Sequence, residues 1–252
     1  MTEKLSGFIR LSALALVLIF CISCRGDADI ISDEDIETLK SLPKLNDKVT
    51  IKTKFTKDLL PELNKKTSWI KIPNWLAGKW KADNYTVLEF KDQTGSRESV
   101  MRNYPCVYEQ IYGHQKDDSG NIWHFTSTPY IDPIQSTGET KSEQITWTTP
   151  VTVKEDEVIF ETTATKIDIN KESGLIFDLI KLISRQSTIP VENEHLVTVT
   201  DQRGVSTIGG KFHRKHRMKL DRVGPFAPVA EVNGVKLEES FKAFMSSKKD
   251  SN

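Results

Sequence analysis

The chain beyond residue 66 is a succession of short segments in which apolar and polar residues alternate, separated by turn-forming residues. Alternation with a period of two is the pattern of a β-strand that buries one face. Such segments cover residues 86–90, 106–112, 122–128, 144–153, 158–169, 195–200 and 207–220. The Asn233-Gly234 pair between Val232 and Val235 is the strongest hairpin signal in the sequence. This pattern constrains the chain to a mainly antiparallel, all-β fold.

The strand segments, about nine or ten in number, follow one another through short connections. This order favours a single antiparallel up-and-down barrel, because closure removes exposed sheet edges. A two-layer sandwich and a half-open sheet around a helix are the alternatives. Residues 175–184 fit either a helix face or a buried strand, and we favour a strand because β segments flank them. Helical spacing at residues 237–246 predicts a short C-terminal helix.

The first 23 residues have the layout of a secretion signal, with an apolar run at 11–22 that is too short to span a bilayer. The run ends at Ser23-Cys24, and polar residues follow at once. This arrangement resembles a bacterial lipoprotein signal, although Cys21 stands where Leu is usual. The resemblance implies cleavage before Cys24, a lipid on the Cys24 sulfur and attachment to a membrane of the cell envelope. An ordinary secretory signal and an uncleaved anchor are the alternatives.

Residue 25 is Arg rather than the Asp that often retains lipoproteins at the inner membrane, which favours the outer membrane in a cell that has one. Residues 24–66 are rich in charge and lack Trp and Tyr, so we interpret them as a tether ahead of a β-barrel domain at 67–252. Ser32 and the acidic residues after it predict a short capped helix that ends at Pro43.

The balance of charge excludes some classes of protein. The chain has 35 basic and 35 acidic residues, and this neutrality argues against a nucleic-acid partner. No zinc-protease, serine-hydrolase or phosphate-binding motif is present. We therefore expect no enzymatic activity and no cofactor. Cys106 is the only cysteine left beyond the signal and Cys24, and we interpret it as a buried small hydrophobe.

The five histidines give little sign of a metal site. His213 and His216 are three residues apart, which places them on opposite faces of a strand. His114 and His124 could oppose each other across the loop at 115–123, and they are the only local pair of this kind. Histidines satisfied by ordinary hydrogen bonds are commoner than ligands, so we predict no metal.

Gly78-Lys79-Trp80 is a short element in which a glycine allows a sharp bend and a tryptophan closes an end of a barrel. It resembles the opening of the first strand in lipocalins and related calycin barrels. The resemblance implies structural roles for Gly78 and Trp80, with an arginine of the last strand stacked on the indole. Arg214 is the candidate, because it shares a face with Phe212 and His216.

All five tryptophans lie between residues 69 and 147. An aromatic-lined pocket suits an apolar small molecule or lipid, and a barrel of this size can hold one such ligand. The residues we expect to line it are Trp80, Trp123, Phe125 and Trp147. We therefore expect a membrane-anchored envelope lipoprotein that binds or carries an apolar ligand. The alternative is a structural or protein-interaction lipoprotein without a cavity.

Five basic side chains alternate along one face of the segment after residue 210. We call them the basic strip: Lys211, His213, Lys215, Arg217 and Lys219. One interpretation is a solvated outer face whose charge neighbouring acidic residues offset. The other is a site for the anionic headgroups of lipids.

Overall fold

The computed structural model describes residues 30–94, 97–98, 101–134, 138–192 and 194–249. The predicted signal at 1–23 and the lipidation site Cys24 lie outside these residues. The described chain is antiparallel β with two α-helices and one 3₁₀ turn at Lys57–Leu59. The prediction of an all-β, barrel-like fold is confirmed. In the ranges given above, no helix has the length and apolar character needed to cross a membrane.

The main sheet has ten strands and is strongly curled into a half-barrel. Its strands are β2 (Gly78–Asp92), β3 (Arg97–Glu98), β4 (Arg102–Tyr112), β7 (Tyr130–Ile134), β8 (Thr140–Thr148), β9 (Val151–Val153), β10 (Val158–Asn170), β11 (Ile176–Glu192), β12 (His195–Ser206) and β13 (Gly210–Gly224). They pair in the order β3-β2-β13-β12-β11-β10-β8-β7, with β4 also on β2 and β9 on β10. Because β2 pairs with β13, the start and the end of the sheet meet. Among the described residues, no ladder joins β4 to β7.

A second sheet, of three strands, lies beside this opening. It consists of β1 (Lys66–Ile72), β5 (Gln115–Lys116) and β6 (Ile122–Thr128), in the order β1-β6-β5. In sequence, β5 and β6 lie between β4 and β7. The chain therefore leaves the main sheet after β4, forms β5 and β6 of the small sheet, and rejoins the main sheet at β7. β6 also contacts β8 of the main sheet.

The ambiguous segment at 175–184 is a strand, as we favoured, within the long strand β11. Its even-numbered side chains, such as Leu182, share a face with Ala164 and Gly204 on the neighbouring strands. Its odd-numbered side chains, such as Leu179 and Ile183, pack against the N-terminal segment. Burial of both faces places apolar residues at adjacent positions, which is why the segment also fits a helix face.

The N-terminal segment forms a layer on the outer face of the sheet. Helix α1 (Asp33–Ser41) begins at Ser32, whose Oγ accepts a hydrogen bond from Asp35 N at 3.1 Å. Leu39 and Leu42 pack towards Trp147 and Ile183. A second group of apolar residues joins this segment to β10 and β11: Val49, Leu59, Ile167, Ile169 and Ile176. The described part of the predicted tether therefore has its own core contacts with the β domain.

The C-terminal part covers the small sheet. The Asn233-Gly234 turn joins β14 (Glu231–Val232) to β15 (Val235–Lys236), as its sequence predicts, and both turn residues have positive φ. Helix α2 (Leu237–Lys249) follows. Its buried Leu237 and Phe241 form one cluster with aromatic residues of β1 and β6. The prediction of a C-terminal helix is confirmed.

Trp80 closes the floor of the half-barrel, with 1% of its surface exposed. Its indole Nε1 donates to Leu76 O at 2.8 Å. The guanidinium that stacks on it belongs to Arg222, 4.2 Å from the ring centroid, and also donates to Ala77 O and Trp75 O. Our assignment of Arg214 was wrong. In the antiparallel register, Trp80 lies opposite Arg222, whereas Arg214 lies opposite Phe90, far from the floor.

Gly78 is required where the chain enters this floor. Its φ is +139°, and a Cβ at this position would lie 2.6 Å from Arg222 Nη1 and 2.8 Å from Gly224 O. Both the backbone conformation and the space exclude a side chain. The glycine therefore allows Arg222 to approach the chain ahead of Trp80.

Candidate functional site

A cavity of about 490 Å³ lies at the opening of the half-barrel. Its walls come from β4 and β7 on the two sides of the opening, from β6 of the small sheet, and from β8, β10 and β11 behind them. The small sheet thus provides one wall of the space that the main sheet leaves open. This volume falls within the range of small-molecule sites in proteins.

Phenol groups form one side of the cavity. Tyr108 and Tyr112 face inward from the same side of β4, and Tyr112 Oη accepts a hydrogen bond from Gln186 Nε2 at 3.1 Å. Burial raises the pKa of Tyr108 and raises that of Tyr112 strongly. Both phenols are therefore neutral at physiological pH and offer hydroxyl groups to a ligand. Phe160 packs against Tyr112 and adds an apolar surface.

Two stacked histidines form the adjoining wall, as their opposition across the loop suggested. The ring centroids of His114 and His124 are 4.4 Å apart. Each Nδ1 accepts a backbone hydrogen bond: His114 from Phe125 N at 2.8 Å, and His124 from Gly113 N at 3.3 Å. Burial lowers the pKa of His114 to about 4, and burial together with the neighbouring ring lowers the pKa of His124 to about 3. Both rings are neutral at pH 7.

These hydrogen bonds also assign the position of the ring proton. Since each Nδ1 is an acceptor, Nε2 carries the hydrogen in the neutral ring. A metal-binding histidine has the opposite arrangement, because its second nitrogen donates to an oxygen acceptor. No group of three or more metal-binding side chains is found in the described ranges. The pair is suited to donate two N–H groups rather than to bind a metal.

Several buried polar atoms around the interior have no hydrogen-bond partner among the described residues. Ser127 Oγ and Thr149 Oγ1 belong to the cavity wall. Thr200 Oγ1 and His216 Nδ1 lie on directly paired residues of β12 and β13. Buried polar atoms usually have partners. The hydroxyl groups of Ser127 and Thr149 are therefore available to hydrogen-bond with a small molecule in the cavity.

The mouth of the cavity carries a carboxyl group. Asp132 of β7 lies at this edge, and desolvation raises its pKa even though the residue as a whole is exposed. Tyr130 lies two residues earlier on the same strand and is also part of the wall. The mouth is therefore polar, in contrast to an open apolar calyx.

Of the four aromatic residues predicted to bind a ligand, the structure places Phe125 on the cavity wall. Trp80 is in the floor, and Trp147 lies on the outer face with α1, its Nε1 donating to Thr165 Oγ1 at 2.9 Å. Trp123 packs against Phe244 of α2. The four residues are therefore not brought together.

Apart from Phe125, sequence reasoning did not predict the ligand-binding residues that line the cavity. The alternation of Cys106, Tyr108, Gln110 and Tyr112 carried the signal, because these side chains share the inner face of β4. Cys106 is half-buried rather than fully buried, and desolvation raises the pKa of its thiol.

The basic strip lies on the outer face of β13, opposite to the inward-facing Arg214 and His216. Lys211, Arg217 and Lys219 are exposed. In the middle of the strip, Asp201 and Glu89 flank Lys215 on the two neighbouring strands, and His213 Nε2 lies 3.2 Å from Asp201 Oδ1. These acidic neighbours therefore partly offset the positive charge at the centre of the strip.

The chain was compared with models of protein families, with curated proteins and with solved structures, and no match was found.

Proposed function

We propose that the protein binds a small molecule in the interior of its half-barrel and acts as a binding or carrier protein rather than as an enzyme. One observation carries the proposal: the 490 Å³ cavity has walls that combine aromatic surfaces with neutral hydrogen-bonding groups and buried polar atoms without partners. The sequence led us to expect an apolar ligand. The polar wall instead favours an amphiphilic one, with a polar group and an apolar body.

We further propose that the chain is held at the cell envelope by a lipid on Cys24, as its resemblance to lipoprotein signals implies. The described chain begins at residue 30, a few residues after this cysteine. A Cys24→Ser variant should move from the membrane fraction to the soluble fraction of the envelope. Equal membrane retention of both forms would contradict the lipid anchor.

The alternative, a protein-interaction lipoprotein, is favoured by β4. Among the described strands this one pairs only with β2, and Val107 on its outer face is 86% exposed. A free strand edge can pair with another chain. Ligand binding uses the inward side chains of β4, whereas pairing with another chain uses the backbone of its free edge, so the two can be tested separately.

The ligand site is tested with a neutral fluorescent probe, N-phenyl-1-naphthylamine, and two variants of β4. Gln110→Trp fills the cavity from its wall, whereas Glu109→Trp, at the adjacent residue, places the same bulk on the outer face of β4. We expect the wild type and Glu109→Trp to bind the probe with similar affinity and Gln110→Trp to bind at least about tenfold more weakly. Equal binding by all three, or none by the wild type, would overturn the proposed function.

A further inference from the structure

A second cavity of about 320 Å³ lies on the inner side of the half-barrel, towards the end of the sheet that is far from Trp80. Its wall is largely apolar, with Phe90, Ile180, Leu182 and Phe212, and it also contains Arg214. Gln144 belongs to the walls of both cavities. The two cavities are therefore neighbours, with this side chain at their border.

Arg214 is a positive charge inside this cavity without an acidic partner. Its Nη2 donates to Gln202 Oε1 at 2.7 Å, and its Nε is buried with no acceptor. No ion pair to its guanidinium is found among the described residues. Burial lowers the pKa of Arg214, but an arginine stays charged at neutral pH. An enclosed cation without a counter-ion is costly, so such a group commonly has an anion beside it.

The other charged or titratable groups near this cavity do not provide that anion. Lys166 also lies in the wall, but its Nζ is 2.9 Å from Asp168 Oδ1, so this pair is neutral together. His216 is uncharged at pH 7, because burial and the nearby Arg214 lower its pKa to about 4. The carboxylate of Asp92 accepts hydrogen bonds from Thr94 N and Oγ1 in the adjacent turn. The cavity thus retains one positive charge, at Arg214.

We infer that the second cavity takes the acidic group of an amphiphilic organic anion, with Arg214 as its binding residue. This inference rests on the proposed function and names the chemical class of its ligand. The acidic group completes the hydrogen bonding of the guanidinium. The side chains around it suit an apolar body, which extends past Gln144 towards the phenols and histidines of the first cavity. Charge-assisted hydrogen bonds of this kind are stronger than neutral ones.

Two probes that differ only in an acidic group test the inference. N-Phenyl-1-naphthylamine is neutral, and 8-anilinonaphthalene-1-sulfonate adds a sulfonate to the same ring system. We expect the wild type to bind the sulfonate more tightly, and Arg214→Gln to lose about tenfold or more of that affinity while neutral binding changes by less than about twofold. Arg185→Gln, which removes a charge from the outer face of β11 and lies outside both cavities, should leave both affinities unchanged.

The outcomes separate this inference from the proposed function. Sulfonate binding that does not change in Arg214→Gln overturns the anion site, and the cavity remains supported if Gln110→Trp still weakens the neutral probe. Failure of the wild type to bind either probe overturns both. If Arg214→Gln does not fold, Arg214→Lys takes its place. Because an ammonium lacks the planar fork of donors, it should weaken sulfonate binding alone, and unchanged binding would again overturn the site.

Discussion

At the residue scale, the floor of the half-barrel depends on one guanidinium. Arg222 stacks on Trp80, donates to two backbone carbonyls and forms an ion pair with Glu194 through Nε at 2.9 Å. The resemblance to calycin barrels implied that an arginine should stack on this tryptophan, but our choice of Arg214 was wrong. Strand β2 begins at the floor, and its antiparallel partner β13 ends there. The correct arginine therefore had to come from the end of β13, which requires the register and not the alternation alone.

The first prediction concerns this contact. Arg222→Met should lower the free energy of unfolding by about 2–4 kcal/mol, because it removes the stacking and leaves buried carbonyls without donors. Urea unfolding followed by tryptophan fluorescence measures the change. Arg217→Met, on the exposed side of the same strand, should stay within about 0.5 kcal/mol of the wild type. Equal stability of the two variants would show that the floor contact contributes little.

The second prediction concerns pH. In the folded protein, the pKa of His114 is lowered to about 4 and that of His124 to about 3. In the unfolded chain, both histidines have the ordinary pKa of about 6.5, so below that pH the unfolded chain binds more protons than the folded protein. Stability should be constant above that pH and fall as the pH drops from about 6.5 towards 4, because each pKa unit corresponds to about 1.4 kcal/mol. Unfolding in urea at a series of pH values measures this slope.

A double variant, His114→Asn with His124→Asn, provides the comparison for the pH prediction. Asn keeps an acceptor near the position of Nδ1 but does not titrate, so the slope should become shallower. His195→Asn is the control, because His195 lies beside Asp221 on the half-exposed edge and is outside the cavity. A slope that is unchanged in the double variant would contradict the assignment.

At the element scale, the burial of β11 on both faces depends on the N-terminal segment. The two-sided burial of β11 makes sense only with the layer formed by residues 30–60 on its outer face. Composition alone made that segment look like a solvated tether, because its few apolar residues are scattered among charges. Each of them is nevertheless placed to meet the sheet. Sequence reasoning captured the capped helix α1 but could not show that its apolar side chains pack against the outside of a barrel.

The third prediction tests this layer. Leu59 is 7% exposed and packs with the isoleucines of β10 and β11. Leu59→Ala should destabilise the protein by about 2–4 kcal/mol, as large-to-small changes in a core do, whereas a free tether would predict no change. Lys57→Ala, two residues earlier on the exposed surface, is the matched control in the same thermal or urea unfolding experiment.

At the scale of the whole molecule, the strand pattern predicted the curled antiparallel sheet but not where it would be open. The opening and the small sheet both result from one long-range pairing. Strand β6 pairs with β1 and does not continue the meander from β4 to β7. Local alternation contains no information about that choice of partner. Most of the candidate site was missed for the same reason, since its residues come together only at this opening.

The fourth prediction concerns the edges of the opening. β4 and β7 each pair with a single described strand, whereas β10 to β12 are paired on both sides. Amide hydrogens of β4 and β7 should therefore exchange with solvent faster than those of β11 and β12, since edges open at lower free energy. Hydrogen–deuterium exchange with mass spectrometry measures this order. Equally slow exchange in β4 and β11 would mean that the opening is sealed in solution.

The pairing of β2 with β13 has a consequence for the order of assembly. Trp80 lies near the beginning of the domain and Arg222 near its end, yet they face each other across one ladder. A nascent chain that has not yet released its last strand leaves the indole uncovered, and closing so long a loop delays folding. The half-barrel therefore completes only when almost the entire polypeptide has emerged, and a fragment that stops before residue 210 should stay unfolded.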